Sequence, residues 1–408
     1  MRPGPAAGGE IAIPQSARVP PELCRLGRLL VGPAVAELAP GEATDLVPLA
    51  QRHGVAPMLA WQLERQGIAI HQPPWDALAA ARRGAAARYL SLVAAHRVVA
   101  SVFSAAQIPA LWLKGYVLAH TVYPEPKLRP MVDLDALVPL DARDRARDAL
   151  LAVGFKPSRW VIRGPFVELI YHYYLIGPPR TPVAFELHYR LSPEVARHLS
   201  PALEAWCWEH AESRQLAGLT VQTLKPEAQL AYLCAHAVLH HGRGRLFLRR
   251  FLDIHLLVAG SPHLQWGTVL DLAGELGWTR AVAEAVAICQ SCFGTQIPDE
   301  KRVALDYLVF EGVDKAGQDP RLRPVGWVLR RVRQLAIQRW PYRVEFLAHL
   351  LVPPASAMRE RYRERPRWPL LLCHLHRWLV VARDLTLALV ELLGAPWRRF
   401  RKWMHGGA

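Results

Sequence analysis

The sequence predicts an α+β protein in which a small mixed sheet forms the core and helical regions flank it on both sides. Short apolar segments that are typical of strands cluster between residues 107 and 215. Before and after this range, apolar residues recur with the period of about 3.6 residues that is typical of amphipathic helices. Because 51% of the 408 residues are hydrophobic and 21% are charged, the composition also indicates a folded protein with a sizeable core.

These patterns predict five regions along the chain. A Pro/Gly-rich flexible tail, residues 1–20, precedes an N-terminal helical region of residues 21–106. The sheet-containing core is predicted at residues 107–215, and a helical domain follows at residues 216–350. The last region, residues 351–408, is basic and rich in Trp and Arg, and its pattern also predicts helices.

The N-terminal region is predicted to contain several separate helices. Gly54 and the run Gln72-Pro73-Pro74 interrupt the helical pattern, since glycine and proline both disfavour a helix interior. The alanine-rich stretch Ala77–Phe103 predicts one long helix, because alanine has the highest helix propensity.

The predicted core begins with a short apolar strand, Pro109–Leu113, followed by an exposed turn at Lys114-Gly115. A helix at Val117–Tyr123 and an acidic strand at Met131–Val138 are expected next. The acidic strand would therefore lie close in sequence to a basic turn.

A helix is predicted at Asp141–Val153, with Asp141 as its N-cap and Gly154 at its C-terminal end. Further strands are expected near Trp160–Ile162, Glu168–Leu175 and Pro182–Tyr189. After Leu216 the chain is expected to be helical, at Pro226–His241, Arg250–Val258, Trp278–Phe293 and Arg302–Phe310.

The acidic strand carries Asp133 and Asp135, two residues apart, so both side chains are expected on one face. The opposite face would carry Val132, Leu134, Ala136 and Val138. Two carboxylates held together on a buried strand repel each other unless a cation lies between them. A divalent metal ion that carries a phosphate chain is one interpretation, and a strand end whose acids face water is the other.

Other residues of the predicted core favour the metal interpretation. Lys114 supplies a point charge, and Gly115 would let backbone N–H groups approach a phosphate closely. Arg129 adds a donor that suits phosphate geometry. On the downstream strand, Glu186 shares a face with His188 and could complete a site for two metal ions.

These elements resemble the uncharacterised nucleotidyltransferase family of bacteria, a divergent branch of the polymerase-beta-like superfamily. The string LKG…YP…LRPMVDLDALVP…ALLAVGF…FELHYRL carries the resemblance, which extends over much of residues 45–350. The chain departs from the superfamily pattern at Lys114-Gly115, where the turn is usually Gly-Ser and lies nearer the acids. Glu186 stands where Asp is commoner, although both are hard oxygen ligands.

The resemblance implies metal-dependent transfer of a nucleoside monophosphate from an NTP to an unknown hydroxyl acceptor: a small molecule, a protein or RNA. It implies that Asp133, Asp135 and Glu186 are catalytic and bind Mg²⁺ or Mn²⁺. Lys114, Gly115 and Arg129 would then bind the triphosphate. It also suggests a substrate contact for His236 or Arg249. Two alternatives remain open: an inactive accessory protein with this fold, and a basic helical protein that binds nucleic acid or a membrane surface.

A second group of polar residues lies in the predicted helices that follow the core. His236 and His240 share a helix face, and Asp253 and His255 follow them. One interpretation is a metal site for phosphohydrolysis, and the other is a set of buried histidines with hydrogen-bond partners. No Gly-x-Ser-x-Gly, Walker A or Gly-x-Gly-x-x-Gly motif occurs, which argues against α/β-hydrolase, P-loop and Rossmann proteins.

The chain has a net charge of +15 and a pI near 9.9, which suggests an anionic partner. Its basic C-terminal region could bind an anionic membrane surface, bind nucleic acid, or pack against the catalytic domain with its arginines in water.

The sequence also predicts a cytoplasmic location, and peripheral association with a membrane surface is a second possibility. The six cysteines are scattered and do not form a disulfide framework. Cys289 and Cys292 have metal or redox spacing, but they lie in a predicted helix and no second such pair occurs, which favours small buried residues over a zinc site. The N-terminal residues contain no apolar segment typical of a secretory signal.

Overall fold

The computed structural model describes residues 19–32, 38, 41–68, 73–157, 172–191, 200–240, 246–298, 358, 369–383 and 386. The chain divides into two units. The first comprises Met1–Pro157 and Tyr171–Val313, and the second comprises Ser158–Ile170 and Asp314–Ala408. All residues of the candidate site described below belong to the first unit.

Four helices form the N-terminal part of the first unit: α1 (Pro21–Val31), α2 (Glu42–Arg52), α3 (Ala56–Gln66) and α4 (Pro74–Ala105). The prediction of separate helices with one long alanine-rich member is confirmed. Gly54 breaks the pattern between α2 and α3 with a φ of 68°, a left-handed conformation that glycine adopts without a steric penalty.

Seven strands in the described residues form one sheet: β1 (Leu111–Leu113), β2 (Asp133–Leu137), β3 (Lys156–Pro157), β4 (His172–Ile176), β5 (Ala184–His188), β6 (Ala211–Leu216) and β7 (Leu219–Leu224). Their order is β3-β4-β5-β2-β1-β7-β6. β2 and β5 are parallel, as are β1 and β7, whereas the other neighbours are antiparallel. The predicted α+β class with a mixed sheet is therefore confirmed.

The acidic strand forms as predicted, but it begins later. β2 starts at Asp133, so Val132 lies outside the pleat and is 61% exposed. The prediction that Val132 lies on the apolar face of this strand is therefore wrong. Leu134 and Ala136 are fully buried on the side opposite the two aspartates, as expected.

The connection after β1 differs from the predicted turn. Helix α5 (Lys114–Thr121) begins directly after the strand, three residues before its predicted start at Val117. Lys114 makes this abrupt transition with a φ of 51°, a left-handed conformation that is uncommon for residues other than glycine. Such local strain is frequent at functional sites.

The N-cap prediction for the next helix is wrong. Helix α6 (Arg143–Ala152) follows a 3₁₀ turn at Leu140–Ala142, and its N-cap, Ala142, forms no side-chain cap. Asp141 lies inside that turn and therefore cannot serve as the cap. Gly154 does end the segment as predicted, with a φ of 93°.

The expectation of purely helical structure after Leu216 is also wrong. β6 and β7 form a hairpin through Ala217 and Gly218, whose φ values of 50° and 83° suit a two-residue turn. Because β7 pairs with β1, the sheet extends beyond the predicted boundary at residue 215.

Five further helices complete the described part of the first unit: α7 (Ser200–Glu209), α8 (Pro226–Ala235), α9 (Leu248–Ala259), α10 (Trp266–Glu275) and α11 (Thr279–Phe293). A π-helical turn at His236–His240 extends α8. One buried cluster joins these helices to α1–α4 and β1. Cys289 and Cys292 are buried, unoxidised residues of α11, consistent with the packing interpretation.

Several predicted elements lie outside the described residues: the strand near Trp160–Ile162, the helix at Arg302–Phe310 and most of residues 351–408. The second unit contains a described helix at residues 370–383. Within the described ranges, no helix has the length and hydropathy needed to span a bilayer.

Candidate functional site

The register of three adjacent strands brings the sequence-predicted acids together. Asp135 on β2 lies opposite Leu113 on β1 and opposite Glu186 on β5. Asp133 lies two residues before Asp135 and therefore points to the same face. The three acids consequently share one face of the sheet, at the strand ends where β1 passes into α5.

The side chain of Lys114 lies between two of these acids. Its Nζ atom is 2.7 Å from Asp135 Oδ1 and 3.2 Å from Glu186 Oε2. The side chain is only 14% exposed, so the expected exposed turn lysine is instead a nearly buried ion-pair partner. Its left-handed backbone directs it into the site directly after β1.

Two histidines complete the group. His188 Nε2 lies 3.0 Å from Asp135 Oδ1 and 3.1 Å from Glu186 Oε2. His172 on β4 lies opposite His188 in the sheet, and its Nε2 is 3.9 Å from Glu186 Oε1. One ligand atom each from His172, Glu186 and His188 lie within 4.8 Å of one another, an arrangement that could hold a metal ion.

His172 is the residue that sequence reasoning missed. The alternation in His-Tyr-Tyr-Leu-Ile could have identified it, because His172 and Tyr174 share a face of β4 while Tyr173 and Leu175 are buried on the other. Its partner across the sheet was not apparent without the register of β4 against β5.

The three acids differ in how far neighbouring cations and hydrogen-bond donors compensate their negative charge. Burial, followed by repulsion from Asp135 and Glu186, raises the pKa of Asp133 to about 7. Burial alone would also raise the pKa of Glu186, but hydrogen bonding to His188 and the charge of Lys114 hold it well below its usual range. In the described part of the chain, the Asp133 carboxylate has no ion pair or hydrogen bond. Asp133 therefore carries the unbalanced charge.

The sequence also matches a known protein family. Residues 40–294, more than half of the chain, match the model of a family described as uncharacterised nucleotidyltransferases. The chain belongs to this family. A search among curated proteins finds no match. Family membership supports nucleotidyl transfer as the general activity.

In this nucleotidyltransferase, Arg129 has a protein partner. Its Nε and Nη2 atoms donate to the two carboxylate oxygens of Asp253 on α9, at 2.8 and 2.7 Å. Tyr123 Oη donates to the same carboxylate at 2.8 Å. Although burial alone would lower the pKa of Arg129, the charge of Asp253 raises it. This buried group links the segment before β2 to α9.

Gly115 also has a role that the sequence did not reveal. A Cβ atom at this position would overlap Arg129 Nη1. The space beside Gly115, which was expected to admit a phosphate, is therefore filled by the Arg129 guanidinium. Glycine is needed here because an arginine that is held by Asp253 cannot easily move away.

Arg249 on α9 is a further cation at the edge of this region. Its Nη1 donates to the carbonyl oxygen of Pro130, and its guanidinium lies 5.1 Å from the centre of the Phe247 ring. Burial and the nearby charge of Arg129 lower the pKa of Arg249 to about 10, so it stays charged at neutral pH.

The phosphohydrolase interpretation of the second polar group is not favoured. Asp253 is engaged by Arg129 and Tyr123, and His255 Nδ1 lies 2.9 Å from Thr295 Oγ1. These contacts fit the alternative of buried polar residues with hydrogen-bond partners.

Proposed function

We propose that this nucleotidyltransferase moves a nucleoside monophosphate from an NTP to a hydroxyl acceptor, with divalent metal held by Asp133, Asp135 and Glu186. The observation that carries the proposal is the unbalanced carboxylate of Asp133 beside two further acids on one sheet face. A half-buried acid whose pKa is raised by burial and by neighbouring carboxylates lacks a sufficient cation, and a metal–triphosphate complex would supply one.

The donor set fits a hard divalent cation. Carboxylate oxygens are the preferred protein ligands of Mg²⁺ and also bind Mn²⁺. When bound, such an ion would stabilise charge on the phosphates and lower the pKa of the acceptor hydroxyl. Glu186 stays ionised at neutral pH because its pKa is lowered, so it is ready to act as a ligand.

The basic residues would have different roles in nucleotide binding. Lys114 now forms ion pairs with Asp135 and Glu186, and its ammonium group would turn to the triphosphate when a metal ion replaces it. Arg129 would act by holding the loop before β2 in place rather than by direct contact, since Asp253 occupies its donors. Arg249, charged and next to Pro130, would add positive potential at the site edge.

The test is a transfer assay with α-labelled NTPs, Mg²⁺ or Mn²⁺, and small-hydroxyl, protein and RNA acceptors. We expect metal-dependent labelling of an acceptor and release of pyrophosphate, both abolished by Asp133→Asn. The exposed Asp271→Asn variant on α10 is the control and should keep activity. Nucleotide binding without any transfer would favour an inactive accessory protein, in which Lys114 permanently takes the place of the cation.

The second unit suggests a separate binding function. In the helix at residues 370–383, one face carries large apolar side chains that are 43–71% exposed: Leu371, Leu372, Leu375, Trp378 and Leu379. Cys373 and Arg377 are buried on the other side. Exposed apolar faces of this kind mark interaction sites.

We propose an anionic membrane surface as the partner of this face. Arginines are dense in the adjoining sequence, at Arg359, Arg361, Arg363, Arg365 and Arg367. A second copy of the chain would bring like charges together, whereas anionic headgroups would neutralise them. Trp378 is also a residue type that suits the membrane interface.

Sedimentation with vesicles tests this second function. The protein should bind phosphatidylserine-containing vesicles and not pure phosphatidylcholine, and Leu375→Asp with Leu379→Asp should abolish binding. Leu90→Asp, at another exposed leucine on α4, is the matched control. Equal binding by the double variant, or binding to RNA alone, would contradict the membrane proposal.

A further inference from the structure

Glu186 Oε2 and His188 Nε2 have the spacing of two ligands of one metal ion, and His172 Nε2 lies 3.9 Å from Glu186 Oε1. His188 Nε2 lies 3.0 Å from Asp135 Oδ1 and 3.1 Å from Glu186 Oε2. Two ligands at right angles around an ion, each about 2.1 Å from it, are about 3.0 Å apart. Lys114 Nζ, which lies 3.2 Å from Glu186 Oε2 and 3.3 Å from His188 Nε2, already places a positive charge next to these atoms.

The ligand types set this position apart from the pair Asp133 and Asp135. His172 and His188, opposite each other on β4 and β5, offer imidazole nitrogens near Glu186, and their ring centres are 5.0 Å apart. Mg²⁺ strongly prefers oxygen ligands, whereas Mn²⁺ and Zn²⁺ accept imidazole together with carboxylate. Strands β4 and β5 supply all three residues, so a regular sheet holds the donors in place.

We propose that His172, Glu186 and His188 form a site for a first-row transition-metal ion beside the Asp133–Asp135 pair. This inference rests on the proposed function in placing the ion at the nucleotide site, and it adds the chemical class of the metal. Glu186 would be shared between the two positions, as a carboxylate with two oxygens allows. The enzyme would accordingly prefer Mn²⁺ or Zn²⁺ to Mg²⁺ at this position.

His172 provides the cleanest test, because its side chain is 15% exposed whereas that of His188 is completely buried. His172→Gln and His188→Gln would be compared with His263→Gln, at an exposed histidine after α9. The full chain, freed of metal with a chelator, would be titrated with Mn²⁺, Zn²⁺ and Mg²⁺ by calorimetry, without nucleotide. Thermal unfolding would show which variants remain folded.

We expect the parent and His263→Gln to bind Mn²⁺ and Zn²⁺ at least about tenfold more tightly than Mg²⁺. His172→Gln should lose about tenfold or more of that affinity while its Mg²⁺ affinity stays the same. Pulsed electron paramagnetic resonance of bound Mn²⁺ should show nitrogen couplings in the parent and fewer in the variant. Oxygen-only coordination in the parent, or unchanged Mn²⁺ and Zn²⁺ affinities in His172→Gln, would overturn the proposal.

The titration also separates this inference from the proposed function. Tight Mn²⁺ binding through nitrogen without any NTP turnover would leave the metal site standing and remove the transferase activity. If Mg²⁺ supports transfer, His172→Gln leaves the transfer rate unchanged and bound Mn²⁺ has only oxygen ligands, the transferase activity stands and the histidine metal site is removed.

Discussion

Two groups of buried charges lie close together in this protein, and they are balanced differently. In the first, Arg129, Tyr123 and Asp253 satisfy one another through three hydrogen bonds of 2.7–2.8 Å. In the second, Lys114 bridges Asp135 and Glu186, but Asp133 remains without a partner in the described part of the chain. A group whose charges are balanced holds structural elements together, whereas a group with excess negative charge is suited to bind a cationic ligand.

The largest expected effect comes from breaking the balanced group. Asp253→Ala would leave Arg129 as an unpaired buried charge and should lower the free energy of unfolding by about 3–5 kcal/mol. Denaturant unfolding monitored by circular dichroism measures this loss. Asp271→Ala, at an exposed position of α10, should change stability by less than about 0.5 kcal/mol. Equal effects of the two substitutions would contradict a structural role for Asp253.

Gly115→Ala should have the next largest effect, because the added methyl group would overlap Arg129 Nη1. We expect a destabilisation of about 1–3 kcal/mol, the usual cost of overpacking. Gly84→Ala in α4 is the matched control, since nothing lies within 4 Å of its added carbon, and it should be neutral or stabilising. If Gly115→Ala has the same free energy of unfolding as the parent, the position of the Arg129 side chain does not require a glycine at residue 115.

Lys114→Ala would leave two carboxylates near each other without their cation. We expect a loss of about 1–2 kcal/mol in metal-free buffer, and a smaller loss once Mn²⁺ takes the place of the ammonium group. Calorimetry should show tighter binding of free Mn²⁺ but weaker binding of the NTP. Lys127→Ala, at a more exposed lysine, should change neither. Weaker Mn²⁺ binding in Lys114→Ala would show that the lysine does not compete with metal.

Asp133→Asn should raise stability rather than lower it, and the size of the gain depends on pH. The folded-state pKa of about 7 lies above the ordinary value of 3.8, so the folded protein binds the extra proton between these values. The contribution of Asp133 to stability is therefore lost as pH rises from about 4 to 7. Asp133→Asn should match the parent near pH 4 and should be more stable than the parent at pH 7. A variant that is less stable at pH 7 would show that Asp133 is a paired structural group.

The sequence predicted those features of the site for which a local pattern determines the face of the strand to which a side chain points. The two-residue spacing placed Asp133 and Asp135 on one face, and the same period placed Glu186 with His188 on another strand. Pairing between distant segments was not predictable in this way. Arg129 is separated from Asp253 by 124 residues, so the sequence offered no reason to remove it from the phosphate site.

For the fold as well, local patterns were predictable and pairing between distant segments was not. The helices α1–α4, α8, α9 and α11 were predicted because their apolar periods extend over many residues, whereas α10 was not. The hairpin of β6 and β7 was missed because the polar segment Ala211–Leu216 does not alternate between apolar and polar residues, although Gly218 directly precedes β7. Its pairing with β1 depends on a parallel contact across about 100 residues, which no local pattern contains.

If the carboxylates of Asp133, Asp135 and Glu186 bind a metal–nucleotide complex, that complex should stabilise the folded protein in thermal unfolding at pH 7. The parent should be stabilised by an NTP with Mn²⁺ or Mg²⁺ more than by either component alone, because a ligand stabilises the state it binds. Asp133→Asn should be at least as stable as the parent without ligand and should lose most of that shift. A parent that shows no shift with any NTP and metal, beside an Asp133→Asn variant that is clearly destabilised, would contradict the account.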